Sequence, residues 1–282
     1  MARPLLCCLL VAALAVGCAS KEQQAASPPF ARSHDQAKRT LGHTQVLLAF
    51  KALRDGRFTH PQVTIWRNGM KRFRDRPPAS KESDRDYRGV GRSLSSSFFL
   101  RDLNGDGEPE VILMLGSGGF FCCDWWRVYG YDAARRRYVV SHFWAEGLPT
   151  VADLRDGKVF VSVDQRFHDV FGPGTAPNPI QIWVFRRGRF RDVTRRYPRL
   201  IEHEASATWR AYVRYRSNGP IVAQAELPVW AAAEYLLGHR QRVQRTLQRL
   251  RRQGRLAATD RQAVVFINDL TGFLRATGYA RQ

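Results

Sequence analysis

Polar and apolar positions along the chain follow three different periods. Between Val46 and Val193 apolar residues alternate with polar ones in short runs separated by turn residues. Val63 to Arg67 and Met70 to Phe73 flank Asn68-Gly69, Trp126 to Tyr131 is followed by Tyr138 to Phe143, and Ile180 to Phe185 by Arg189 to Val193. A period of two with such turns predicts antiparallel hairpins. From Pro198 the spacing becomes helical. A run from Glu202 to Arg216 stops at Asn218-Gly219-Pro220, an amphipathic run from Val222 to Leu237 stops at Gly238, Arg240 to Gln253 stops at Gly254, and Thr259-Asp260 caps a run from Arg261 to about Thr277. The third pattern is a short apolar block, Pro4 to Val16, after a single positive side chain at Arg3.

The strand region repeats. Leu53-Arg54-Asp55-Gly56, Leu103-Asn104-Gly105-Asp106-Gly107 and Leu154-Arg155-Asp156-Gly157 recur at spacings of 50 and 51 residues, each before a strand-turn-strand pattern. Short strands at that period predict antiparallel blades. The fold class expected is therefore α+β, with three β-meander repeats over residues 37–199 and a region of about four helices over 200–282. Three blades are too few to close a propeller, so an open array is expected. The helices would pack as two hairpins, together or against its open end.

The apolar block at the start is too short to span a bilayer and is followed by small residues, which describes a secretory signal over residues 1–17. Ala15-Val16-Gly17-Cys18 resembles the lipobox of bacterial lipoproteins, with Ala in place of the usual leading Leu. That resemblance implies a lipidated Cys18 and attachment to a membrane of the cell envelope, the outer membrane facing the periplasm where one is present. Ordinary signal cleavage nearby is the alternative. Residues 18–36 are polar, contain Ser27-Pro28-Pro29 and read as a flexible tether.

The most specific chemistry lies at Asp102-Leu103-Asn104-Gly105-Asp106-Gly107-Glu108-Pro109-Glu110. Asp102, Asn104, Asp106 and Glu110 occupy the first, third, fifth and ninth positions, Gly107 occupies the sixth, and Glu108 offers its carbonyl. Hard oxygen donors at that spacing suit Ca²⁺ better than Mg²⁺, which demands a stricter octahedron. Leu113 stands where an EF-hand requires Glu, so the loop is of another type. An acidic β-turn with solvated carboxylates is the alternative. Asp-x-Asn-x-Asp-Gly-x-x-Glu entering an apolar strand resembles the FG-GAP or VCBS repeat of integrin-type β-propellers. Similarity to uncharacterised bacterial VCBS-like proteins continues through Cys122-Cys123, Pro179 to Trp183 and Asp192-Val193-Thr194. It implies a β-rich binding or scaffolding body with calcium held at this loop, and no particular reaction.

Two cysteines, Cys122 and Cys123, remain in the body. As neighbours they either form a vicinal disulfide or pack as two small apolar thiols. The chain is formally +20 and 39 of its 45 basic residues are Arg, clustered most densely from Arg240 to Arg252 around Val243, Leu247 and Leu250. Guanidinium forks suit an anionic envelope polymer or lipid head groups, and export removes nucleic acid as an expected partner. Spread of Arg over an ordinary solvated surface is the simpler account. No nucleophile elbow, P-loop, zincin or dinucleotide motif occurs, and no catalytic residue is assigned. Asp164, His168 and Asp169, in a loop extending to Pro179, form the best residual constellation for the alternative reading, an exported hydrolase of acidic envelope polymer or lipid.

Overall fold

The computed structural model describes residues 35–52, 58–77, 97–116, 124–155, 157–171 and 178–280. Residues 1–34, with the predicted signal and Cys18, lie outside the described residues, as do Cys122 and Cys123 and the first Leu-Arg-Asp-Gly copy. All the described residues belong to one compact unit, Ala31–Gln282.

Eleven described strands form three four-stranded antiparallel meanders, open and unclosed, followed by helices: an α+β fold with blade-like sheets. The first sheet comprises β1 (Asp35–Leu41), β2 (Thr44–Ala52), β3 (Phe58–Arg67) and β4 (Met70–Asp75) in sequential order. The second comprises β5 (Phe98–Arg101), β6 (Glu110–Gly116), β7 (Asp124–Asp132) and β8 (Arg137–Leu154). The third runs from the far half of β8 through β9 (Gly157–Val163), β10 (Ile180–Arg186) and β11 (Arg189–Asp192).

The shared strand is the departure from three separate repeats. β8 pairs with β7 up to Ala145 and with β9 from Glu146 onward, with a register shift between Glu146 and Thr150. Pro149 has no N–H to donate to a ladder, so regular pairing is interrupted there and one strand serves two sheets.

Turn chemistry explains the hairpins. Asn68 (φ 51°) and Gly69 (φ 73°) both adopt the left-handed conformation, as a two-residue turn that matches strand twist requires. The turn between β10 and β11 uses Arg187 (φ 51°) and Gly188 (φ 72°) in the same way.

The second sheet is covered on both faces. Val111, Leu113 and Leu115 of β6 join Val46, Leu48, Val63 and Ile65 of the first sheet in one core. Ile112 and Met114, pointing the other way, join Trp126, Phe143, Phe160 and Phe185 in a second core against the third sheet. The uninterrupted apolar run of β6 is what a strand buried on both faces needs. A polar bridge crosses the first interface: Asp75, at the end of β4, accepts hydrogen bonds from Arg127 Nη2 (2.7 Å) and Tyr129 Oη (2.9 Å).

Helices pack beyond the third sheet. They are α1 (Arg166–Phe171), α2 (Pro198–Tyr215), α3 (Pro220–Gln224), α4 (Leu227–Leu236), α5 (Arg240–Arg252) and α6 (Asp260–Ala276). The expected single amphipathic run from Val222 to Leu237 is divided. It breaks before Leu227-Pro228, and α4 is buried at every residue from Leu227 to Tyr235. A helix buried all round shows no polar stripe, and the small Ala231, Ala232 and Ala233 admit neighbours closely. α1 forms inside a segment expected to be loop. Of the Arg-rich α5, Val243, Thr246, Leu247 and Leu250 face inward. The capping box of Thr259 and Gln262 opens α6.

Specific polar contacts seat the helices on the third sheet. Ile180 N donates to Glu204 Oε1 of α2 at 2.8 Å. Tyr279 Oη donates to Asp164 Oδ2 at 3.0 Å. Arg195 donates to the carbonyls of Leu236 (2.9 Å) and Tyr279 (2.8 Å), placing a cation at the C-terminal end of α4.

Candidate functional site

The Asp102–Glu110 loop joins β5 to β6 and is shaped by its own side chains. Asp102 Oδ1 accepts from Gly105 N at 2.8 Å and Oδ2 from Gly107 N at 2.9 Å. Asn104 Oδ1 accepts from Asp106 N, and Asp106 Oδ1 from Glu108 N, each at 2.8 Å. Gly105 (φ 77°) and Gly107 (φ 82°) supply the left-handed residues that fold the backbone around these acceptors. Leu103, 3 % exposed, anchors the loop in the core between the second and third sheets.

Glu110 closes the loop from beneath. Its carboxylate, on a residue only 2 % exposed, accepts from Leu103 N (2.8 Å) and Asn104 Nδ2 (2.9 Å). Burial pushes its pKa up to about 8, and the charges of Asp106 and Asp102 push in the same direction against the Leu103 hydrogen bond. Among the described residues no Lys, Arg or His forms an ion pair with it.

Glu108 turns away to the first sheet. Its carboxylate receives Arg67 Nη2 (2.9 Å) and Nε (3.0 Å), His43 Nε2 (2.7 Å) and Thr44 Oγ1 (3.3 Å). Arg67 in turn lies over the ring of Tyr131 at 4.4 Å. Burial raises the Glu108 carboxyl, but the hydrogen bonds from Arg67 and His43 outweigh it and hold the group below its ordinary value. Only the backbone carbonyl of Glu108 therefore remains for the loop.

The donor set at the loop is all oxygen, and each carboxylate oxygen that accepts one N–H keeps a second lone pair, which is the chemistry a hard divalent cation takes. Among the described residues no three His, Cys, Asp or Glu side chains converge as a metal-holding group. Asp102 and Asp106 cap the loop's own N–H groups, and the Glu108 side chain is committed to Arg67.

In the residual catalytic constellation, Asp164 is committed to structural contacts. Asp164, 3 % exposed, spends its carboxylate on Arg166 (Nη2 at 2.6 Å, Nε at 2.8 Å) and on the Tyr279 hydroxyl. His168 sits on α1 and Asp169 is exposed beside it.

Sequence pattern did not reveal the Glu108–Arg67–His43 clamp, because its members come from three segments with no common spacing. The nearest signal was a Glu at a loop position where only the backbone was needed. Glu204 was also missed. Its Oε2 is buried with no hydrogen-bond partner among the described residues, and burial raises its pKa to about 7 against the Ile180 hydrogen bond.

No family model matches the chain, and no curated protein matches it in sequence. Among solved structures, a Xanthomonas type IV secretion system related protein is similar over 56% of this chain and 79% of that one, with 18% identity and a TM-score of 0.38. A likeness that distant carries no argument about function.

Proposed function

We propose that this protein is a lipid-anchored component of the cell envelope whose open three-sheet body is a non-enzymatic binding or scaffold module, with Ca²⁺ ordering the Asp102–Glu110 loop in the manner of an FG-GAP or VCBS repeat. The observation that carries the reading is Glu110, a buried carboxylate beside Asp102 and Asp106 with no cation paired to it among the described residues. Asp102, Asn104, Asp106, Glu110 and the Glu108 carbonyl would hold the ion. When bound, it would neutralise the carboxylates and fix the loop on which three sheets depend. The chain's own residues do the rest: Leu103 fixes the loop to one core, and Glu108 fixes it to the first sheet.

The anchor would be an acyl-modified Cys18 and the partner an anionic envelope polymer or lipid head group, consistent with the Arg-rich composition. Among the described residues no helix is long and apolar enough to cross a membrane.

Thermal unfolding of the full chain with calcium and with chelator tests the metal. A site of about 0.1 mM affinity in about 1 mM Ca²⁺ adds about 1.4 kcal/mol, a midpoint shift of a few degrees. The shift is expected in the native chain and not in Asp106→Ala; no shift at saturating calcium removes the metal from the reading. For the anchor, Cys18→Ser is expected to abolish the acyl mass increment and release the protein from the membrane fraction.

A further inference from the structure

Beside the loop a cavity of about 760 Å³ opens between the β7–β8 turn and the β10–β11 turn. Its size falls within the range of small-ligand pockets. Its lining is mixed in chemistry. Asn104 and Asp106 of the loop line it together with Arg135, Arg187 and Arg191, which come from the second and third sheets. Tyr131, whose ring carries Arg67, lines it as well. Phe185 also lines it, and its ring would stand 3.4 Å from a Cβ placed on Gly130, so glycine at that strand position leaves room for the ring.

The arginines are not used up in holding the fold together. Arg135 pairs with Asp132 at an exposed position, whereas Arg187 and Arg191 have no ion pair among the described residues. Arg187 also holds the left-handed turn position that Asn68 occupies in the first sheet. Asn tolerates that conformation, while a longer side chain is disfavoured by about 1 kcal/mol or more. A guanidinium is thus kept at a place where the backbone prefers Asn, and it borders the cavity.

Guanidinium groups bind a carboxylate or phosphate through paired N–H donors. Asp106 and Asn104, whose Oδ1 atoms already accept from Glu108 N and Asp106 N, each keep a lone pair that can accept from a ligand hydroxyl. A ligand that meets both sets of residues carries one acidic group and several hydroxyls. We infer that this cavity binds an acidic saccharide unit, its carboxylate or phosphate on Arg135, Arg187 and Arg191 and its hydroxyls toward Asn104 and Asp106. The inference deepens the non-enzymatic binding reading and rests on it.

Calorimetric titration of the purified full chain in detergent, in calcium and again in chelator, tests the site with digalacturonic acid, a sugar phosphate, neutral lactose and inorganic phosphate. Binding of an acidic saccharide and not of lactose is expected, and which acidic probe binds distinguishes carboxylate from phosphate. Arg187→Asn is expected to weaken it by about tenfold or more, the loss of a charge-assisted pair, while leaving the unfolding temperature unchanged or higher. Arg191→Gln is expected to act in the same direction, and Arg245→Gln on α5 to have no effect. The inference is overturned if no acidic saccharide binds, if inorganic phosphate alone binds as well as the sugars, if Arg187→Asn and Arg191→Gln bind like the native chain, or if Arg245→Gln causes an equal loss. Failure here is separable from failure of the calcium reading: Arg187→Asn leaves any calcium-induced melting shift intact, and Asp106→Ala removes it.

Discussion

Arg67 Nη2 donates to Glu108 Oε2 at 2.9 Å, tying the end of β3 in the first sheet to the loop that leads into β6 in the second. The pair is 41 residues apart in sequence and mostly screened from water, with Glu108 13 % and Arg67 25 % exposed at the side chain. Removing the carboxylate leaves Arg67 and His43 without their acceptor.

Glu108→Gln is therefore expected to lower stability by about 1–3 kcal/mol near neutral pH, the range for losing a hydrogen bond to a charged group. The folded pKa lies below the unfolded value of 4.5. The stabilisation is thus complete above pH 4.5 and lost as pH falls through the folded pKa. Urea denaturation at neutral and acid pH checks this, and a gap between native and variant that stays constant on acidification would contradict it.

Ile112→Ala and Leu113→Ala should each cost about 2–5 kcal/mol, since both side chains are fully buried. The two residues enter different cores. A much smaller cost for one of them would mean that its face of the second sheet is not packed as described.

Glu204 introduces a pH dependence of opposite sign to that of Glu108. Its pKa is about 7 folded against 4.5 unfolded, so the folded chain holds the extra proton between those values. Stability from this group is full below pH 4.5 and falls as pH rises toward 7, by at most about 3 kcal/mol. Glu204→Gln is expected to flatten that part of the stability profile while keeping an acceptor for Ile180 N. An unchanged slope in the variant would rule the group out as its source.

Asp164→Ala should destabilise by about 1–3 kcal/mol, because it leaves the buried Tyr279 hydroxyl and the half-exposed Arg166 without their acceptor. His168→Ala, at a half-buried position of α1, is expected to cost less than Asp164→Ala. Equal losses would indicate that the two residues act as a unit, as the hydrolase reading requires.

Local chemistry decided a large part of this fold. Asn68-Gly69 and Arg187-Gly188 dictate tight turns, alternating residues around them dictate two-faced strands, and Thr259 with Gln262 dictates the start of a helix. These are interactions between residues a few positions apart, so they are written in the order of the chain. The open blade arrangement was legible for the same reason, through hairpins repeating at a nearly constant interval. The acidic loop was legible too, because Asp102, Asn104 and Asp106 cap N–H groups within five residues.

Only the tertiary structure decided what those elements meet. β8 serves two sheets because Pro149 interrupts its ladder and packing carries each half to a different partner. α4, expected as part of one amphipathic run from Val222 to Leu237, is buried all round, and its break from α3 follows from Pro228 and from the helices around it. The side chain of Glu108 lies on Arg67 rather than in its own loop, and Arg187 and Arg191 line the same cavity as Asn104 and Asp106. The difference is physical. Turns and caps are settled by hydrogen bonds a few residues long, whereas burial of a charge or the lining of a cavity depends on surfaces brought together from distant segments, whose pairing leaves no fixed spacing in the chain.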